Sequence, residues 1–137
     1  MTLYKLSRYS EWAPTILRVA LGIAFIGHGA QKVFGAFGGP GLAGWVGFAA
    51  TLGIPAVLAY IAAFTELLGG ATILLGLFTR WAAALIGIVM IVAMAVARMN
   101  YFGGSELVII YLASAIALML TGPGAASLVK MLWKKEI

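Results

Sequence analysis

The 137-residue sequence has no cysteine, so on its own it makes no disulfide, ligates no iron–sulfur cluster through thiolate and performs no thiol exchange. It has a single histidine, His28. With no cysteine and only two carboxylates inside its apolar blocks, it lacks the ligand set of a metal site. His28 could give a haem one axial ligand but no second histidine exists, so neither metal nor haem is expected. No histidine–serine signature points to nucleophilic hydrolysis. Charge is scarce as well: 9% of residues are charged, against about a quarter in soluble domains. With 64% hydrophobic residues and a mean hydropathy of +1.08, that scarcity excludes an ordinary soluble domain and identifies an integral membrane protein. The net charge of +5 does not point to nucleic acid, because most basic residues flank apolar blocks, where they orient spans against the bilayer.

What the sequence has is hydrophobic length. Four apolar blocks, at about 13–34, 56–78, 81–99 and 105–121, predict one all-α domain: a bundle of four transmembrane helices with short connections. Pro14 and Pro55 suit the first turns of helices, and Thr121-Gly122-Pro123-Gly124 is a strong helix stop. Residues 1–12, with Tyr4, Lys5, Arg8, Tyr9 and Trp12, have the composition of a chain meeting the headgroup layer. The apolar block that follows is longer than a signal sequence core and lacks a cleavage site, so it reads as retained.

The first connection, Gly35 to Pro55, is too glycine-rich for a span and too apolar for an ordinary loop. Trp45, Phe48, Ala49 and Leu52 recur at helical spacing within it, which predicts a short interfacial helix acting as a lid on one end of the bundle. After the helix stop, Leu128, Met131, Leu132 and Trp133 beside Lys130, Lys134 and Lys135 suit a short helix on an anionic leaflet. Six basic residues (Lys5, Arg8, Arg80, Lys130, Lys134, Lys135) at one end of the bundle face two (Lys32, Arg98) at the other. The positive-inside bias then puts both termini in the cytoplasm of a bacterial or archaeal cell, with the protein in the plasma membrane.

Polar residues inside the spans are costly in lipid and need partners. Span one carries Arg18, His28, Gln31 and Lys32; Glu66 lies at the middle of span two; Arg98 ends span three, followed by Asn100 and Tyr101; Glu106 opens span four. Apart from Arg18 and the deeper Glu66, these groups fall at a common depth beneath the predicted lid and imply a polar pocket near the outer leaflet, with Glu66 on its floor. Each also has a plain structural reading. Lys32 and Arg98 can snorkel, Glu106 can serve its helix dipole, and His28 can be a hydrogen-bonded packing residue. Within the pocket hypothesis, His28, Glu66 and Glu106 are the candidate catalytic groups, and Gln31, Lys32 and Arg98 the candidate substrate-binding groups. Arg18 is the candidate for a structural ion pair: it either snorkels to the near headgroups or folds toward Glu66.

The pattern G-x-x-F-x-x-H-G-x-Q-K-x-F-G, from Gly22 to Gly35, resembles the DoxX family. So do Glu66-Leu67-Leu68-Gly69-Gly70, Gly76-Leu77-Phe78-Thr79-Arg80, and Gly122-Pro123-Gly124 followed by Ser127-Leu128, all in family order. The resemblance implies a small four-helix inner-membrane protein. One branch of the family resembles the quinone-reducing membrane subunit of thiosulfate:quinone oxidoreductase, and other members are associated with oxidative-stress and thiol-redox complexes. One departure is visible: Val129 stands where the family usually has an aspartate.

Three functions are compatible with these residues. The first is a quinone-linked oxidoreductase subunit, with quinone as the candidate cofactor. The second is a non-catalytic accessory or scaffold subunit whose ion pairs fix helix packing. The third is transport of a small anion. The expected partners are membrane lipid, quinone, and a second copy of the chain or a partner redox protein.

Overall fold

The computed structural model describes residues 3–97 and 104–134. A 3-10 helix over Leu3–Trp12 leads into α1 (Ala13–Phe34), and a short 3-10 turn at Ala36–Gly38 leads into α2 (Gly41–Thr51). The chain continues through α3 (Ala56–Leu75), α4 (Thr79–Ala97), α5 (Glu106–Thr121) and α6 (Leu128–Trp133). It is an all-helical bundle. By length and composition α1, α3 and α4 can cross a membrane, and α5, with 16 residues or roughly 24 Å, is the shorter fourth member. Helix α3 ends at Leu75, short of the expected 78, because Gly76 takes a left-handed φ of 74°. Its N–H donates to the Ile73 carbonyl and that of Leu77 to the Thr72 carbonyl, the paired closure of a Schellman motif. Arg98, Asn100, Tyr101 and Lys135, named in the sequence reading, lie outside the described residues.

The tightest seam joins the antiparallel α1 and α3. A Cβ on Gly22 would lie 2.8 Å from the Leu74 backbone, and one on Gly70 2.6 Å from the Ile26 nitrogen. Gly29 meets the Leu67 backbone at similarly close range. In lipid, where no hydrophobic effect drives helices together, such small-residue contacts supply the association through close packing. Leu21, Phe25, Ile73, Ala83, Ile86, Met90, Ala115 and Leu118 fill the centre between α1, α3, α4 and α5. The outer faces carry exposed Ile23, Leu68, Leu85, Ile88 and Leu120, a surface suited to hydrocarbon. Helix α2 packs across α1 and α3 at one end, hereafter the α2 end; the residues leading into α1 and the segment after α5 meet at the other, hereafter the terminal end, where the Ala125 N–H donates to the Glu11 carbonyl.

At the terminal end Arg18 is buried, and its partners are carbonyls rather than a carboxylate. Its Nε donates to Pro123 at 3.0 Å, Nη1 to Ile73 at 3.2 Å and to Leu74, and Nη2 to Ala126. This corrects the expectation of an ion pair. Arg18 sits opposite the C-terminus of α3, whose last carbonyls lack the i+4 partners of the helix interior and form the negative end of the helix dipole. Arg80 treats α5 the same way, donating to Met119 and Leu120 at 2.6 and 2.9 Å. The Gly122–Ser127 segment is thereby tied down. Gly124, at a φ of 83°, brings its backbone against Thr15, where a Cβ would lie 2.5 Å from Oγ1. Val129, in the position where an acid is usual, is 1% exposed and donates its N–H to Gly76, a setting that suits an apolar side chain.

Candidate functional site

Glu66 lies about 15 Å from either end of α3 and is 2% exposed. Its partner is Lys32, whose Nζ donates to both carboxylate oxygens at 2.6 Å. Helical Cβ atoms tilt toward their own N-terminus. Because α1 and α3 run antiparallel, Lys32 leans away from the α2 end and Glu66 leans toward it, so they meet. Lys32 therefore does not snorkel outward. Its Nζ also lies 4.2 Å from the centroid of the Trp45 ring, and the Trp45 Nε1 donates to the Ala59 carbonyl at 2.8 Å. One side chain of α2 thus fastens it over the ion pair and onto α3.

Beside the pair stands an aromatic trio. His28 Nε2 and the Tyr111 hydroxyl share a hydrogen bond of 3.1 Å, and Phe25 meets the His28 ring edge-on and the Tyr111 ring at a tilt, at centroid distances of 6.0 and 5.0 Å. The trio and the pair line a cavity of about 340 Å³, closed further by Phe48 of α2, Leu52 just after it, Met90 of α4 and Val108 of α5. That volume is within the range of about 300–1,000 Å³ usual for small-molecule sites. Among the described residues the cavity offers an apolar slot for a flat ring, a hydrogen-bonded phenol and imidazole, an ammonium and a carboxylate. Such a set can donate hydrogen bonds to carbonyl oxygens and exchange protons with them.

Of the residues singled out by sequence, His28, Lys32 and Glu66 come together here. Gln31 does not line the cavity; it is half-buried and its backbone lies against Gly39 of the turn after α1. Glu106 is exposed on the first turn of α5 and also lies outside the cavity lining. Facing α5 toward the trio through Tyr111 and Val108 leaves residue 106 on another side of the helix. Arg98 falls outside the described residues, and Arg18 belongs to the terminal end. Tyr111 and Trp45 were not identified as site residues. The available signal was chemical: a phenol or indole in an apolar helix requires a polar partner for its O–H or N–H.

The DoxX family model matches residues 13–99, which include the α1–α3 seam, the Lys32–Glu66 pair, α2 and all of α4. The chain belongs to the DoxX family. This DoxX protein is also 32% identical over 114 residues to CatD of Bacillus subtilis (strain 168), which bears a provisional name as an oxidoreductase. The match covers 82% of this chain and 81% of CatD. No solved structure matches this DoxX chain.

Proposed function

We propose that this DoxX protein is the membrane subunit of a quinone-linked oxidoreductase, with its ring site in the cavity between the His28–Tyr111 pair and the Lys32–Glu66 pair. The observation that carries the reading is the opposition of a hydrogen-bonded phenol–imidazole pair and an ion pair across one apolar slot. The name of CatD as an oxidoreductase agrees with it. A quinone, when bound, accepts two electrons and two protons to become a quinol. The chain has no cysteine to pass those electrons. They come from a thiol- or sulfur-based donor, directly or through a partner redox protein. The protein's own residues do the rest. A bound ring would be held among Phe25, Met90 and Val108, Lys32 and Tyr111 would donate hydrogen bonds toward its oxygens, and His28 and the Lys32–Glu66 pair would hold and supply protons. The protein sits in the plasma membrane with both termini cytoplasmic, so the cavity lies in the outer half of the bilayer.

The test is extraction of lipophilic small molecules from protein purified in gentle detergent, followed by mass spectrometry and titration with added quinone. Retained quinone and saturable binding, both weakened in His28→Ala and Glu66→Gln, are the expected results. Protein that retains none and binds none overturns the proposal. A scaffold role is the second reading, favoured by the two-oxygen saturation of Glu66 by Lys32. In that case Glu66→Gln lowers folding yield or assembly and leaves the bound small molecules unchanged.

A further inference from the structure

A second cavity of about 340 Å³ lies on the other side of the ion pair. The two cavities share Lys32, Trp45, Ile54, Glu66, Ala93 and Val96, so the pair and the Trp45 ring stand at their junction. The second is built differently from the first. Its walls are the halves of α3 and α4 nearest α2, and beyond the junction its side chains are aliphatic, including Leu58, Ile61, Ala62, Ile88 and Val92. Four of these are also among the exposed residues of the outer surface: Leu58 at 53%, Ile61 at 54%, Ile88 at 58% and Val92 at 44%. The mouth of the cavity therefore opens sideways between the apolar faces of α3 and α4, with Gly53, Ile54 and Pro55 of the connection before α3 lining it at the α2 end. At its other end the two helices close together, with Ile86 Cδ1 3.2 Å from where a Gly69 Cβ would stand.

Resting on the quinone reading above, we infer that this lateral cavity takes the aliphatic tail of the ligand, so that a molecule with a ring head and a single hydrocarbon chain enters from the bilayer between α3 and α4. Three features support this occupant. The aliphatic walls offer nothing to a polar group, whereas the first cavity offers four. The mouth is rimmed by exposed aliphatic side chains of α3 and α4, which suits a ligand that never leaves lipid. Among the described residues the junction carries no free cation, because Lys32 is already paired through both oxygens of Glu66. It accordingly favours a neutral head over the phosphate of a phospholipid. Moving a chain from lipid into an aliphatic slot gains little from the hydrophobic effect, so the slot serves access and positioning.

Ala62 and Val92 line the lateral cavity and not the ring cavity, which makes them the places to obstruct it. The experiment uses the full chain in lipid nanodiscs, with empty discs as reference, and compares a tail-free benzoquinone with the same ring bearing a decyl chain. In Ala62→Phe, affinity for the decyl compound falls by about tenfold or more while that for the tail-free ring is unchanged. Val92→Phe, on the opposite wall, gives the same split and serves if Ala62→Phe does not fold. Ile110→Phe, on the exposed face of α5 away from both cavities, changes neither. Equal loss of both ligands, or no loss of either, overturns the tail assignment and leaves the quinone reading standing. Displacement of a copurifying phospholipid by the Ala62→Phe change, without effect on the decyl compound, also overturns it. Wild-type protein that binds neither compound overturns the quinone reading and the tail assignment together.

Discussion

Lys32 and Glu66 meet across two antiparallel helices whose backbones touch three residues before Lys32, at Gly29 against Leu67. The contact sets the spacing and the opposed tilt of the side chains closes it. A carboxylate near mid-membrane thereby has both oxygens satisfied by one ammonium that keeps 20% of its side chain exposed. Breaking a buried pair by removing one partner costs about 3–5 kcal/mol, and the partial exposure of Lys32 puts this pair at the lower end. Lys32→Met and Glu66→Gln should each lower thermal stability in detergent, and Lys32→Met combined with Glu66→Met should recover most of the loss. Strictly additive losses in the double variant would remove the pair as the cause.

Gly29→Ala should act on the same pair from a distance. The new methyl meets the Leu67 backbone, which cannot yield as a side-chain tip would, and overpacking of this kind costs about 1–3 kcal/mol. Gly27→Ala, two residues earlier and with nothing within 4 Å of its added carbon, should be neutral or slightly stabilising. Denaturation in a mixed-detergent series distinguishes them; equal behaviour contradicts the close seam.

Trp45 makes a testable latch. Trp45→Phe removes the hydrogen bond to Ala59 and keeps a ring near Lys32, for a loss of about 0.5–1.5 kcal/mol. Trp45→Ala removes both. Hydrogen exchange should accelerate across Gly41–Thr51 in the order Ala, Phe, wild type, while α4 stays protected. Unchanged exchange in α2 would mean that other contacts hold it.

Tyr111→Phe leaves the ring stack intact and deletes only the hydroxyl that His28 engages. Affinity for a tail-free quinone should fall by about 2–10-fold, the worth of one neutral hydrogen bond. Full affinity in this variant would exclude Tyr111 from contact with the ring.

At the terminal end, Arg18→Lys keeps the charge and loses the fork that spans carbonyls of α3 and of the Pro123–Ala126 segment. Each lost charge-assisted hydrogen bond is worth about 1.5–3 kcal/mol. Limited proteolysis should then cut after Gly122, where wild-type protein is resistant. Gly124→Ala should give a similar phenotype, because the residue has a left-handed φ of 83° and no room beside Thr15. Resistance in both variants would show that the segment is held elsewhere.

The helices were legible because hydrophobic length, proline starts and glycine stops are local properties of a sequence. The short helix after α1 was legible too: Trp45, Phe48, Ala49 and Leu52 announce one face by their spacing, and of these Ala49 is buried while Trp45, the half-exposed Phe48 and Leu52 line the cavity. The pairing of charges was not. Arg18 and Lys32 are both cations on α1, and only the antiparallel register with α3 assigns Glu66 to one and bare helix-end carbonyls to the other. Sequence counts charged partners and overlooks carbonyls, which is why Arg18 was expected beside a carboxylate. Glu106 misled for a related reason. Shared depth suggested convergence, but depth does not fix which side of a helix faces inward. Tyr111 supplies the polar group on α5 instead.

The Arg18 clamp also bears on how the chain is made. Helix α1 leaves the ribosome carrying a guanidinium whose acceptors at Pro123 and Ala126 are 105 and 108 residues downstream. Until α3 arrives with Ile73 and Leu74, and finally the segment after Gly122, that charge must stay at the headgroup level, since an unpartnered arginine is costly in hydrocarbon. The helix can settle to its final depth only when the segment after Gly122 has been synthesised. Synthesis of that segment is thereby coupled to closure of the bundle, and a nascent chain truncated before Gly122 lacks the Pro123 and Ala126 contacts that hold Arg18 and α1 in place.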